Sequence, residues 1–378
     1  MRHFKKVIPS VARVLLPAAL VALLLGNSHA TEVNLLEQPA GLSAKATGVV
    51  QLSIARAGNR LVSVGERGMV LVSDDNGKTW RQSKVPVSTS LTRVAFVNDK
   101  AGWVIGHGGV VLATTDAGDT WVKQLDGIGA AKLELDAAQA ETQAHASNAN
   151  GQRRLADAQR LVDDGADKPL LALHFFDVKR GFVMGAYGIA FGTVDGGQTW
   201  KSMMGSLAAA NGRHLYGIHP LGDSLLLMGE QGLVLKSTDG GANFSKLAFP
   251  GKGTLFGALT NKAGDALLVY GLKGNAFRST DAGMHWDKVE MPPVSLVAGI
   301  RMNDGALLLA DESGQLHRSD DAGLHFKPVE LARPAVLAGL VQASDGALVG
   351  SGMRGNAPLA MPAGAKQDNK QDNKKDKP

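Results

Sequence analysis

One eight-residue pattern recurs six times in this chain, and it constrains the fold more than any other feature. The first copy is Ser73-Asp74-Asp75-Asn76-Gly77-Lys78-Thr79-Trp80, and the central aspartates of the set fall at 75, 116, 195, 239, 281 and 321. The steps between them are 41, 79, 44, 42 and 40 residues, one nearly double the rest. Every copy opens on Ser or Thr and closes on Trp or Phe. An aspartate followed two places later by glycine predicts a hairpin turn: the carboxylate accepts backbone N–H groups and the glycine takes a positive φ. The closing aromatic covers the hairpin base, worth ~1.5–3 kcal/mol if fully buried. Six copies at even spacing build architecture, because a single active site has no use for six.

A second signature accompanies the first. Five residues before each opening Ser or Thr stands a glycine, usually within Gly-x-x-Gly: Gly65 to Gly68, Gly106 to Gly109, Gly185 to Gly188, Gly229 to Gly232 and Gly271 to Gly274. The sixth departs, as Asp311-Glu312-Ser313-Gly314. Apolar runs such as Leu225-Leu226-Leu227-Met228 flank these turns. Each unit of about 40 residues therefore reads as a four-stranded blade, with one turn signature between its second and third strands and the Asp box between its third and fourth. Gly352-Met353-Arg354-Gly355 marks a seventh unit, whose box has degenerated to Pro362 and Gly364. The expected fold is an all-β, seven-bladed β-propeller over residues 31–364, with residues Val33 to Leu42 supplying the missing strand of the last blade. Ring closure of this kind removes exposed sheet edges.

The long step has its own explanation. Between residues 126 and 167 the β pattern stops, and Ala131 to Ala146 and Gln152 to Val162 are rich in good helix formers. This predicts a helical hairpin set between the second and third blades. In a propeller, connections between blades emerge on the same face as the turns between second and third strands. The hairpin and the Gly-x-x-Gly turns should therefore share one face, with the Asp boxes on the other.

The ends read differently. Arg2, Lys5 and Lys6 precede an apolar run from Val14 to Leu25, and Ser28-His29-Ala30 places small residues at a cleavage point. Residues 1–30 are thus expected to be a signal peptide, because a run of about a dozen residues falls short of the roughly 20 that span a bilayer. The mature protein is expected in the periplasm with no span of its own. Residues 365–378 repeat Gln-Asp-Asn-Lys without apolar content and are expected to be disordered. The formal charge of +5 sits largely in these ends. Setting aside four leader cations, and five lysines against three aspartates in the tail, leaves the body near −1. That gives no electrostatic case for nucleic acid. With no cysteine there is no disulfide framework, thiolate nucleophile or thiolate-held zinc.

The recurrent Gly-x-x-Gly followed by Ser/Thr-x-Asp-x-Gly-x-Thr-Trp resembles the photosystem II stability/assembly factor family. These are luminal seven-bladed propellers of chloroplasts and cyanobacteria, with relatives in non-photosynthetic bacteria. The clearest stretches are Gly102 to Trp121 and Gly181 to Trp200, and the resemblance covers roughly Gly48 to Gly364 apart from the helical insertion. It implies a non-enzymatic protein-binding role in the assembly of an envelope membrane-protein complex, with no cofactor. It also implies a role for basic residues on one face. Here Arg67, Lys273 and Arg354 stand at the matching turns, while Glu230 and Glu312 dilute the patch.

Two other classes compete. A polysaccharide or cell-wall binding propeller would need exposed aromatics around the channel mouth, where Tyr187 is the one well placed. A sialidase-like glycosidase would need an arginine cluster and a tyrosine nucleophile. Tyr216, aligned with Leu173 and Phe256 in its first strand, reads as core. The ten histidines show no metal-ligand spacing, and His285 and His325 occupy the Asp-box threonine position. The expected partner surface is the set of turn tips Arg67, His107, Tyr187, Lys273 and Arg354.

Overall fold

The structure, a computed structural model, describes residues 34–145, 149–332 and 335–360. The leader assigned to residues 1–30, the tail from 365 and the degenerate box at Pro362 and Gly364 lie outside them. Among the described residues, six four-stranded antiparallel sheets and one three-stranded sheet follow one another. In the first, Gln51–Ala57, Arg60–Gly65, Val70–Ser73 and Arg81–Gln82 pair in chain order. The inner strands of successive sheets touch around a ring that returns from Leu337–Gln342 to Gln51–Ala57. This is the seven-bladed propeller. The second strand of each blade lies between neighbouring blades and is buried almost end to end. That explains why it is written as a continuous apolar run rather than an alternating one. The core runs between blades: Trp103 of the second stacks on Phe175 of the third, centroids 3.6 Å apart and planes 7° apart.

The Asp boxes fold as their residue types predict. In the first, Asp75 Oδ1 accepts the Thr79 N–H at 2.8 Å, and Oδ2 accepts the Thr79 hydroxyl at 2.6 Å. The Ser73 hydroxyl donates to Asp75 and accepts the Gly77 N–H. Gly77 sits at φ 85, and its counterparts Gly118, Gly197, Gly241, Gly283 and Gly323 lie between 84 and 93. The residue before each of these glycines is left-handed too, so Ala117, Ala282 and Ala322 hold φ of 57 to 60. His285 and His325 replace threonine by meeting Asp281 and Asp321 through Nδ1 at 2.6 and 2.7 Å. Donation from Thr79, Thr199 and Asn243 holds the Asp75, Asp195 and Asp239 carboxyls down at about 2.

The Gly-x-x-Gly turns have a steric cause. A Cβ on Gly65, Gly106, Gly185, Gly229 or Gly271 would lie 1.9 to 2.4 Å from the carbonyl oxygen of the residue just before its own inner strand. That oxygen instead accepts the N–H of the following turn residue, as in Ala186 to Pro169 at 3.0 Å. In the first, fourth and fifth blades the second glycine meets the connection to the next blade: a Cβ on Gly68, Gly232 or Gly274 would stand 2.1, 2.0 or 2.2 Å from Val87, Gly251 or Pro292 oxygen. Two backbones cross at each of these five turns, and glycine leaves them room. In the sixth blade Asp311 replaces the first glycine. Burial would raise its carboxyl, but Ser313, His317 and backbone N–H groups hold the charge and keep it below the ordinary range.

Ring closure differs from expectation. The seventh sheet keeps three strands, Leu337–Gln342, Leu348–Gly352 and Gly355–Pro358, and residues 35–42 add none to it. That segment lies instead along the first blade. Ala40 donates to Val85, Leu35 accepts from Ser88, and Leu36 packs into the core between blades one and two. Side chains and a short turn join the ring: Asn356 donates to Ser63 at 2.6 Å, and Ser344 to Asn76 at 2.8 Å. Thr47 oxygen stands over Gly355 where an interblade connection stands elsewhere. The burial of Leu36 draws the segment to the other side of the first blade, and no such anchor holds it beside the seventh.

The insertion is a helical hairpin with longer arms than composition implies, α1 at Gly127–Ala144 and α2 at Ala149–Asp164. Asp126 caps α1 by accepting the Gly129 N–H, which moves its start to the strand end. The hairpin packs on the ring. Glu134 is fully buried, takes a bidentate pair from Arg154 at 2.8 Å and accepts the Ser202 hydroxyl of the third blade. Its two ends meet over the second blade's turn, where a Cβ on Gly109 would lie 2.7 Å from Gly127. The third glycine in Gly106-His107-Gly108-Gly109 belongs to this crossing.

Candidate functional site

The five turn-tip residues expected to face a partner are all exposed, and all lie on the face that carries the hairpin. They are not equivalent. Arg67, Tyr187 and Lys273 occupy the left-handed third position of their turns at φ 55, which throws the side chain outward from the crossing backbones. His107 is at the second position, because Gly108 takes the third. Arg354 lies in a two-residue hairpin loop between Gly352 and Gly355.

Tyr187 is the tip at which other features converge. It is 57% exposed, and Lys168 at the hairpin's exit stands 5.3 Å from its ring centre. His214 lies beside it at 4.8 Å, Tyr216 follows at 6.1 Å and Phe256 at 5.6 Å. A continuous aromatic run therefore crosses from the third blade's turn to the inner strands of the fourth and fifth.

The last two members reach the channel mouth through a feature that sequence reasoning missed. Every inner strand carries a one-residue bulge near its start, at Leu52, Thr92, Leu171, Tyr216, Phe256, Val297 and Ala338. The bulge occupies the same place in each strand, so Tyr216 matches Leu171 and Phe256 rather than Leu173. It also leaves Tyr216 half-buried at the channel rim instead of in the core. Burial raises its phenol, with Glu230 adding to the effect.

On the other side of Tyr187 lies a groove of about 630 Å³ between α2 and residues 204–210. Met204, Leu207 and Ala208 give it an apolar side, and Arg153, Asp157, Arg160 and Asp164 a charged one. Arg154 at its back is held charged by Glu134 and Glu141. Nothing local in the sequence signalled this groove, because its walls come from an insertion and from a short 3-10 segment, Met204–Ala210, that reads as loop. Among the described residues no three metal-ligating side chains gather, and no helix is long and apolar enough to cross a membrane.

Fold and site together define an Asp-box β-propeller whose side-chain variety is gathered on one face. The chain belongs to the family described as photosynthesis system II assembly factor YCF48, which matches residues 25–115, 72–142 and 154–357. No curated protein matches it in sequence. Among solved structures it is similar to YCF48 bound to a D1 peptide, at 15% identity and a TM-score of 0.59, over 83% of this chain and 94% of that one. It is similar to YCF48 from Cyanidioschyzon merolae at 16% identity and a TM-score of 0.59, over 86% and 98%. Streptogramin B lyase superposes as well, with a TM-score of 0.60 at 13% identity over 86% and 97%. At such identities these structures speak for the fold alone, and the lyase shows that the fold also carries enzymes.

Proposed function

We propose that this chain is an exported, non-enzymatic assembly factor that holds an extended segment of a membrane-protein partner against its turn face. The observation that carries the reading is the aromatic run Tyr187–His214–Tyr216–Phe256, with the hairpin groove at one end and the channel mouth at the other. Aromatic side chains are preferred anchors for polypeptide, since they bury large area at little entropic cost. Family membership supports the same reading, as does the D1 peptide bound by a related propeller. Residues 1–30 as a cleaved leader and a periplasmic location belong to this proposal.

The test is photo-crosslinking in envelope membranes from position 187, together with affinity capture by wild type, Tyr187→Ala and the triple reversal Arg67→Glu, Lys273→Glu, Arg354→Glu. One membrane protein should crosslink through one segment. Both variants should lose about tenfold in capture with an unchanged melting temperature. Equal capture by all three proteins, or loss of capture and melting temperature together, overturns the reading. The aromatic run also suits stacking on sugar rings, so retention on purified cell wall without a protein crosslink would favour the polysaccharide-binding class.

A further inference from the structure

One extended segment already lies on the turn face, and it belongs to this chain. Residues 35–42 pair with the connection between the first and second blades: Ala40 donates to Val85 oxygen at 3.0 Å, and Ser88 donates to Leu35 oxygen at 2.8 Å. Lys123 of the second blade donates to Leu36 oxygen at 3.1 Å and pairs with Glu37. Leu36 fills the space above Gly108, where a Cβ would stand 2.9 Å from it. In other blades the same left-handed turn position carries a side chain, as at Tyr187 and Lys273. The seat thus has three parts: a connection offering one acceptor and one donor, a lysine, and the tip of the following blade.

The same seat recurs, uncovered, between the fourth and fifth blades. The oxygens that stand over the second glycines fix the correspondence: Val87 over Gly68, Gly251 over Gly232 and Pro292 over Gly274. The places of Val85 and Ser88 are then taken by Phe249 and Lys252 before the fifth blade, and by Glu290 and Pro293 before the sixth. Pro293 has no N–H to give, so the later connection cannot repeat the pairing. Phe249 oxygen and the Lys252 N–H make no hydrogen bond among the described residues. Val85 and Val87 are buried under residues 35–42, whereas Phe249 and Gly251 are only half-buried. Phe249 is held from behind by Phe277 and Trp286, ring centres 4.9 and 5.3 Å away.

The charges correspond as well. Lys288 stands in the place of Lys123: each lies nine residues after the Ser or Thr that opens its Asp box. They also share a register, Lys288 opposite Phe277 and Lys123 opposite Leu112. At the tip, Lys273 replaces Gly108, and Lys252 adds a third cation from the connection. All three lysines are exposed, and none forms an ion pair among the described residues. Asp287 and Glu290, the carboxylates closest to Lys288 in the chain, pair with none of them.

We infer that this uncovered seat takes an extended acidic segment of the partner, held as residues 35–42 are held. Its backbone pairs with Phe249 and Lys252, one carboxylate meets Lys288, and a second, in the place of Leu36, meets Lys273. The inference deepens the partner-binding reading above and rests on it. Main-chain pairing supplies affinity in such strand addition, and the side-chain sites supply specificity. Three lysines without a counter-charge call for carboxylates. Lys273 stands where Gly108 leaves room for leucine, which removes the apolar anchor of the first seat. Phe256, where the aromatic run ends, lies in the strand that follows this connection, so one segment can run from Tyr187 to Lys252.

The test is fluorescence-anisotropy titration of the full chain with a labelled peptide of residues 35–43 that carries Leu36→Glu. It should bind one to one, and the neutral peptide with Leu36→Gln and Glu37→Gln at least about tenfold more weakly. The double variant Lys273→Gln, Lys288→Gln should lose about tenfold in affinity with an unchanged melting temperature. Lys252→Pro, which gives the seat the chemistry of Pro293, should lose binding that Lys252→Gln largely keeps. N-methylation of the peptide at Ala40 removes the donor to Phe249 without touching the protein, so the pairing stays testable if Lys252→Pro folds poorly. The inference is overturned by no saturable binding up to about 1 mM, by equal binding of the neutral peptide, by binding that survives the double variant, or by indifference to both backbone changes. In envelope membranes, the partner segment that crosslinks from position 187 should also crosslink from position 252. A crosslink from 187 without one from 252 would sink this seat and leave the proposed function standing. Peptide binding as expected, with no membrane protein captured, would instead count against the proposed function.

Discussion

The two faces of the propeller are both made from repeated turns, yet they differ in what they leave over. On the Asp-box face each turn closes on itself. Asp75, Asp116, Asp195 and Asp239 accept from the residue four places on, and the opening Ser or Thr satisfies both the aspartate and the glycine. Little hydrogen-bonding capacity remains to face outward. On the turn face the glycines are spent on backbone crossings, while the left-handed tip residue is free to be Arg67, Tyr187, Gln231 or Lys273. Repeated chemistry builds the ring, and the positions that vary are those where structure asks only for a backbone angle.

The largest expected effect tests the crossings. Gly65→Ala or Gly185→Ala puts a Cβ about 2 Å from a carbonyl oxygen and should lower stability by roughly 3 kcal/mol or more in denaturant unfolding. Gly48→Ala, with nothing within 4 Å, should be near neutral. Equal effects at both kinds of site would mean that the crossings are not what selects glycine. Next comes the hairpin's seat. Glu134→Ala leaves Arg154 without its main partner and should cost about 3 kcal/mol. Hydrogen exchange should show faster opening of α1 and α2 while the blades stay protected; uniform loss across the ring would show that the hairpin is part of the propeller's folding unit.

A smaller effect has the opposite sign. Ala117, Ala282 and Ala322 hold left-handed angles at the Asp boxes, so each Ala→Gly change should raise stability by about 1 kcal/mol. The same substitution at Ala113, within a strand, should lower it. The smallest effect is acid sensitivity of the Asp-box face. Because Asp75, Asp195 and Asp239 titrate in the folded state at about 2, below their unfolded value, their contribution is complete above about pH 4. It is lost as pH falls through their folded values. Melting temperature should decline over that window, and Asp195→Asn should shrink the decline while lowering stability at neutral pH. An unchanged decline would assign acid loss to other carboxylates.

Much of the molecule was legible in the chain. The Asp box is decided within a few residues by hydrogen bonds and positive φ, and the Gly-x-x-Gly turn by crossings within its own blade and the connection after it, so spacing alone revealed the blades and their count. The common face of the hairpin and turns followed from strand alternation. The helices were placed by composition, but Asp126 and its cap moved the start of α1 four residues earlier. The candidate tips were found one at a time, whereas their joining was not. Tyr187 and Phe256 are distant in sequence, and Tyr216 looked like core because the bulge that turns it to the rim leaves no mark in residue type.

What the sequence determined by itself is therefore the repeat: turn type, strand number, blade count and the sorting of turns to two faces. These depend on interactions that close within one unit of about 40 residues. Tertiary structure alone decided how the ring closes, which side of the first blade residues 35–42 cover, and where Glu134 finds Arg154 and Ser202. Each of these joins elements far apart in the chain, and their energies exist only once folding has brought those elements side by side.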